Sequence, residues 1–362
     1  MKNAFLLLVL ATTMTPPISA QAPTGAIIGF VTDETGARIR AASIVVANKE
    51  TGLKRMLLTS SAGEYVVPSL IPGLYQVTAE AKGFKKLVRD ASVEAGSTTD
   101  VNLVMQVGVS TQTLTVEGAS PQIQYDSHEI DGRITRLQID GLPVNGRNYL
   151  EFIKLGPGAQ PPRKTTANRT LMPLLGSPVG QNGRATRITV DGGSIMEIGN
   201  GGSALGFSQD AVQEFQVATV NMDLSTGATA SGVVNVATRS GTNQLHGSGF
   251  MFFRDHHLSA YPALHRNPFN PDPFFQRKHF GLLVGGPLHK DRAFFFGSFE
   301  RLDQRGVISN EFLSPDFAAL SGIYPSPTYA NQFTGRTDIK LGESQSLFVR
   351  YSHAAPSGRS PA

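Results

Sequence analysis

Residues 250–299 hold 11 of the 21 phenylalanines in the chain, in short runs such as Phe252-Phe253 and Phe294-Phe295-Phe296 that are broken by glycines and charged residues. No stretch beyond the amino terminus approaches the roughly 20 continuous apolar residues of a membrane-spanning helix. A chain with this aromatic density that enters lipid must therefore do so through strands, because only helices and closed barrels satisfy every backbone group there. The spacing predicts strands over 247–254, 278–287, 292–302, 333–341 and 346–353. In the last of these, Leu347, Val349 and Tyr351 fall on one face and Phe348, Arg350 and Ser352 on the other, as a sheet with one lipid-facing surface requires. Between them, 286–292 reads as a short polar turn, and the Pro-rich stretches 258–275 and 314–331 as long loops on the opposite side.

Composition narrows the chemistry. With no cysteine, the chain has no disulfide framework, no thiolate metal site and no cysteine nucleophile. The net charge of +4 is spread along the chain, with its densest groups at 82–89 and at Gln276-Arg277-Lys278-His279. Scattered basic residues argue for solvated strand ends and against a nucleic-acid partner. The amino terminus, with Lys2, the apolar run 4–11 and the small residues up to Ala20, has the parts of a secretory signal peptide spanning 1–20.

From 24 to 106 the chain reads as repeated short strands separated by turns, at Asp33-Glu34-Thr35-Gly36, Lys49-Glu50-Thr51-Gly52, Ser61-Ala62-Gly63 and Pro72-Gly73. Six or seven strands at this spacing predict a small antiparallel sandwich. The Gly29–Gly36 pattern, Ser61-Ala62-Gly63-Glu64-Tyr65, Pro72-Gly73 with Tyr75, and Gly83-Phe84 resemble the carboxypeptidase-regulatory-like, prealbumin-type domain. In peptidases that domain is an accessory. His128-Glu129-Ile130-Asp131 only approximates a zinc-ligand spacing, so no peptidase chemistry is expected.

The stretch 212–254 changes from small, β-branched and glycine-rich residues to aromatic strands at Arg239-Ser240-Gly241-Thr242-Asn243. This block resembles the plug-to-barrel junction of TonB-dependent receptor-like outer-membrane proteins, in particular the Oar-like group with an extra N-terminal sandwich. The runs HGSGFMFFRD and FGLLVGGPLHKDRAFFFGSFE resemble that family's opening barrel strands, and Leu142-Pro143-Val144-Asn145-Gly146-Arg147-Asn148-Tyr149 is its most family-like short string. The resemblance implies a mainly β protein: a sandwich, an α+β plug over 119–240, and the first strands of an incomplete transmembrane barrel over 241–362.

Within the plug the expected roles are structural. Pro143 fixes a backbone angle, Asn145-Gly146 makes a tight turn and Arg147 offers a planar fork for a carboxylate. Asp191-Gly192 ends a buried strand and precedes a variable apical loop, and a short helix is expected over 149–155. The linker 107–118 contains Thr113-Leu114-Thr115-Val116, whose position and composition resemble the TonB box that an inner-membrane energy transducer grips; an ordinary linker or a last sandwich strand is the equal alternative. Gly199-Asn200-Gly201-Gly202 lacks the strand and helix that a dinucleotide site needs. His246, His256, His257 and His265 have no helical ligand spacing and read as loop or interface residues. Accordingly, no catalytic residue, cofactor or metal is expected.

Five or so strands cannot close a barrel, because open edges in lipid leave backbone groups unsatisfied, and the stretch 312–335 looks compressed relative to the family. The expectation is a fragment, a truncated frame or a decayed gene. The implied function is ligand uptake across the outer membrane, reached through the periplasm and driven by a TonB-type transducer. The competing reading is a secreted or surface-attached sandwich that serves as an adhesion module. The ligand itself is not legible.

Overall fold

The computed structural model describes residues 24–108, 113–116, 130–142, 144, 146–155, 186–195, 206–220, 232–261, 265–312, 314–342 and 345–358. The expected signal peptide, Pro143, Asn145 and the glycine string at 199–202 lie outside them. The described residues are organised as three successive β units.

The first is a sandwich. One sheet runs β4 (Glu64–Leu70), β1 (Gly25–Asp33), β7 (Thr98–Asp100), with β8 (Leu103–Met105) also pairing β1; the other runs β3 (Lys54–Leu58), β2 (Ser43–Asn48), β5 (Gly73–Glu80), β6 (Lys86–Val93), β9 (Thr113–Val116). Alternation places Ile27, Val31, Ile44, Val46, Val77 and Met105 between the sheets with no exposed surface, the period-two pattern of a half-buried strand. Tyr65 is buried with them and donates its hydroxyl to the Val101 carbonyl at 2.6 Å. The strands β6 and β7 escape a reading by apolar runs, because charged and polar residues alternate along them, as in KLVRDASV.

The second unit is a five-stranded sheet in the order β10 (Ile130–Ile134), β13 (Val212–Val220), β14 (Gly232–Thr238), β11 (Thr186–Val190), β12 (Gly193–Ser194). Only the β11–β14 pair is parallel. The helix α1 (Arg136–Gly141) starts on a Thr135 capping box with Gln138, and buries Ile139. The segment Tyr149–Leu155 is a 3-10 helix, not an α-helix; its Tyr149, Leu150, Phe152 and Ile153 are buried against Ile188, Phe215 and Val234. Tyr149 meets Phe207 and Phe215 edge to face at 6.2 and 6.3 Å.

The third unit is an antiparallel meander of β15 (His246–Asp255), β16 (Phe275–His289), β17 (Ala293–Asn310), β19 (Thr328–Lys340) and β20 (Ser346–Gly358), with β18 (Gly322–Pro325) pairing β17. The strands outrun the aromatic runs that betray them; β17 continues eight residues past Leu302 through polar DQRGVISN, because ladder hydrogen bonds do not need apolar side chains. The stretch 314–331 is not one long loop, since it holds a 3-10 turn at Pro315–Leu320, β18 and the start of β19. No closed barrel forms among the described residues, and β15 and β20 are the outer strands of the sheet.

The usual polarity of a soluble sheet is inverted here. On one face Met251, Phe253, Phe280, Leu282, Val284, Phe333, Leu347, Val349 and Tyr351 are each at least 39% exposed, and they pair across strands as Met251↔Phe280, Leu282↔Phe299 and Phe299↔Phe333. On the other face His279, Ser298, Glu300, Thr334, Arg336 and Asp338 are buried. What covers them is the second unit.

Candidate functional site: a buried polar seam between two units

The seam is built on two turns in which the backbone enters the left-handed region. Asp191 and Gly192, at φ 48° and 81°, connect β11 to β12 across the Val190↔Gly193 pair. A two-residue hairpin turn of this hand favours Asp-Gly, since Asp tolerates positive φ and Gly has no Cβ to clash. The turn projects the Asp191 carboxylate out of the second unit toward the third. Its Oδ1 accepts from Thr238 N at 2.9 Å and its Oδ2 from Thr238 Oγ1 at 2.6 Å.

Two arginines of the meander close on that carboxylate. Arg336 Nη1 lies 3.3 Å from Asp191 Oδ1 and also donates to the Thr238 carbonyl and hydroxyl at 3.1 and 2.9 Å, while its Nε and Nη2 fork onto Asp338. Arg350 Nε sits 3.1 Å from Asp191 Oδ2 and Nη2 donates to the Val190 carbonyl. Two carboxylates thus face two guanidiniums in a site where Arg336 and Asp191 have only 5% and 4% of their side chains exposed. Buried ions demand such pairing. A crevice of about 530 Å³ reaches this cluster from the sandwich side, bordered by Glu50, Arg55 and Asp191.

A second cluster lies farther along the same seam. Glu300 of β17 accepts from Ser208 Oγ at 2.5 Å and faces His279 Nε2 at 2.5 Å. Arg147 follows Gly146 through a turn with φ 81° and 53°. Its Nη2 reaches Asp210 at 2.7 Å, its Nε lies 3.9 Å from Glu300 Oε2, and its guanidinium stacks 3.9 Å over the Phe250 ring. Arg136 pairs with Asp140 and donates to the Gln209 and Val212 carbonyls. The fork expected of Arg147 therefore meets carboxylates from both its own unit and the meander.

The sandwich is fastened to the same body. The buried carboxylate of Glu214 accepts from Ala95 N at 3.0 and 3.1 Å, and Glu94 pairs with Arg133 at 2.8 Å. Asn243, in the strand-entry turn, donates to the Thr51 carbonyl and to Asp291, and receives a bond from Asp291 N.

Of the residues singled out from sequence, Arg147, Gly146, Asp191 and Gly192 stand at the seam. Leu142 ends α1, its N–H bonded to the Gln138 carbonyl at 2.9 Å, and its side chain is 38% exposed. Thr113, Leu114, Thr115 and Val116 form β9, paired in parallel with Lys86–Arg89 of β6, which is the last-strand alternative. Sequence reasoning missed Glu300, His279, Arg336 and Asp338. The available signal was parity: Arg336 and Asp338 fall on the face opposite Phe333 of their strand and Glu300 opposite Phe299, although Phe294 and Phe296 share the Glu300 face and are buried with it. The four histidines do not form one site, because His246 and His256 lie at opposite ends of β15.

Comparison with known proteins agrees with this architecture. The family model described as "Carboxypeptidase regulatory-like domain" matches residues 26–106, and the one described as "Outer membrane beta barrel domain" matches 237–329. The chain is 28% identical over 296 residues to the TonB-dependent transporter Oar of Myxococcus xanthus, an alignment covering 78% of this chain and 27% of that protein. The chain thus spans about a quarter of the length of the curated relative it matches. The resemblance to Oar-like receptors is borne out, and the comparisons support an outer-membrane location. Among solved structures, a streptococcal ancillary pilin aligns at 16% identity and TM-score 0.21 over 24% of this chain and 33% of its own. Catechol 1,2-dioxygenase from Pseudomonas arvilla C-1 aligns at 12% identity and TM-score 0.22 over 27% and 55%. Likeness at that level carries no argument about chemistry.

Proposed function

We propose that this homologue of a TonB-dependent transporter acts in ligand uptake across the outer membrane, with its second unit as the plug and its meander as barrel wall. The observation that carries the reading is the inverted sheet: apolar side chains exposed on one face, and on the other a buried ionic seam that holds the second unit. A soluble sheet gains nothing from exposing Phe280, Leu282, Phe333 and Val349 together, because contiguous apolar surface of this kind marks an interface. Lipid is the solvent that suits it. The reading involves no covalent chemistry; the seam positions and holds.

On this reading uptake requires the plug to shift against the wall, which means exchanging the Asp191–Arg336–Arg350 contacts for others. A TonB-type transducer pulling on Thr113–Val116 would supply the work. β9 ends its sheet, so its outer edge has no strand partner among the described residues and offers backbone groups to an added strand.

Deletion of Thr113–Val116 in the full-length protein tests the energised step. Uptake is expected to be lost with ligand binding retained; uptake that persists refutes the transducer role. Fractionation tests the location separately: the protein is expected in the outer membrane with heat-modifiable migration, whereas a soluble periplasmic pool would favour the secreted sandwich module.

A further inference from the structure

We infer that Asp255, His256 and His257 bind one divalent cation of the zinc type at the end of β15, a site unrelated to the seam. Three consecutive residues rarely converge, because extended neighbours point to opposite faces. Here the chain leaves β15 at Asp255, which is still extended at φ −136° and ψ 147°, and turns at once into a single 3-10 turn, His256–Leu258. That turn swings both imidazoles back onto the carboxylate. Asp255 Oδ1 lies 2.8 Å from His257 Nδ1 and 3.3 Å from His256 Nδ1, and all three donor atoms fall within 4.8 Å of one another.

Those separations suit a small cation. Zinc bonds of about 2.0–2.1 Å to nitrogen and oxygen in a tetrahedron put ligand atoms about 3.3 Å apart. The surroundings hold the donors in place. The His256 ring packs edge-on to Phe274 at 5.1 Å, and its buried Nδ1 has no hydrogen-bond partner. Gln276 Nε2 holds the other carboxylate oxygen, Asp255 Oδ2, at 3.3 Å, the kind of outer contact that orients a ligating carboxylate. Asp255 and His256 have 14% of their side chains exposed, whereas His257 is 76% exposed.

Two imidazoles and one carboxylate select zinc, cobalt or nickel over calcium and magnesium, which prefer all-oxygen shells. The cation replaces the proton that His257 Nδ1 directs at Asp255; that proton moves to Nε2, and the imidazole stays neutral. Three protein ligands leave a fourth position to water or another small donor on the exposed side. Asp255 shares the parity of Met251 and Phe253 and pairs opposite Gln276, so the site caps the outward apolar column rather than lining the seam. Its effect is to fasten the turn after β15 to the strand end.

The test is titration of the untagged full chain, folded in detergent at pH 7.5, with Zn²⁺ by calorimetry and with Co²⁺ by visible absorption. One equivalent is expected to bind, with the intense cobalt bands of a tetrahedral site. His256→Ala and His257→Ala should each weaken binding more than tenfold, and Gln276→Leu by about tenfold, while His246→Ala and His265→Ala change nothing. The exposed position of His257 makes its variant a fair test, with an unchanged far-ultraviolet circular dichroism spectrum as the folding control. Absence of saturable binding, or equal affinity in His257→Ala, overturns the assignment.

Discussion

Asp191 stands at the centre of the seam, since it caps Thr238 and faces both Arg336 and Arg350. Removing one partner of a buried pair leaves an uncompensated charge, at a cost of about 3–5 kcal/mol. Asp191→Ala is therefore expected to loosen the second unit by that order, measured as urea-dependent loss of hydrogen-exchange protection in β11 and β14. The sandwich offers a separate residue-scale test. Burial pushes the hydroxyl pKa of Tyr65 well above its ordinary value and that of Tyr75 up to about 12. Both folded values exceed the unfolded value near 10, so the folded state binds more protons in between. Their contribution is complete below about pH 10 and is lost as pH rises toward 12. Tyr65→Phe should cost about 0.5–1.5 kcal/mol at neutral pH through the lost bond to Val101, and should reduce the alkaline loss of stability followed by circular dichroism.

At the scale of elements, the hand-over between the second unit and the meander depends on Gly241. A Cβ there would stand 2.2 Å from the Phe295 carbonyl oxygen and 2.6 Å from that of Gly286, both backbone atoms with nowhere to retreat. Gly241→Ala is expected to destabilise by about 1–3 kcal/mol, read as lower heat-modifiable yield. On the outward face, Val349→Arg should cost about 2–4 kcal/mol of membrane stability if placed at depth, whereas a polar change at inward Ser352 should not. Much of this level was legible in the sequence. The alternation around Val349 and the break at Gly241 follow from local rules, whereas the turn expected over 286–292 shrinks to 290–292 because the β16 ladder carries on through Pro287 to His289. Strand length beyond the aromatic runs and the strand β18 were not legible, because polar residues in β17 are ordered by their neighbours' backbones. Likewise Glu300 and Arg336 acquire meaning only when the second unit lies against them, a contact between residues about 90 to 145 positions apart.

For the whole molecule, the arrangement of the three units follows from where charge and apolar surface are placed. The sandwich meets the second unit through Glu214 and Glu94, and meets the meander through Asn243, which donates to the Thr51 and Glu50 carbonyls and is itself held by Asp291 of the short turn. Force applied at β9 therefore reaches β10 and β13 by way of β6 and its following turn. Spin labels test the central claim most directly, because the chain has no cysteine of its own and every introduced one is unique. Nitroxides attached at Leu282→Cys, Phe333→Cys and Val349→Cys, with the full-length protein in outer-membrane vesicles, should be open to oxygen dissolved in lipid and closed to an aqueous nickel chelate. A label at Ser352→Cys, beneath the second unit, should be closed to both. Outward labels quenched freely by the nickel chelate would contradict the account.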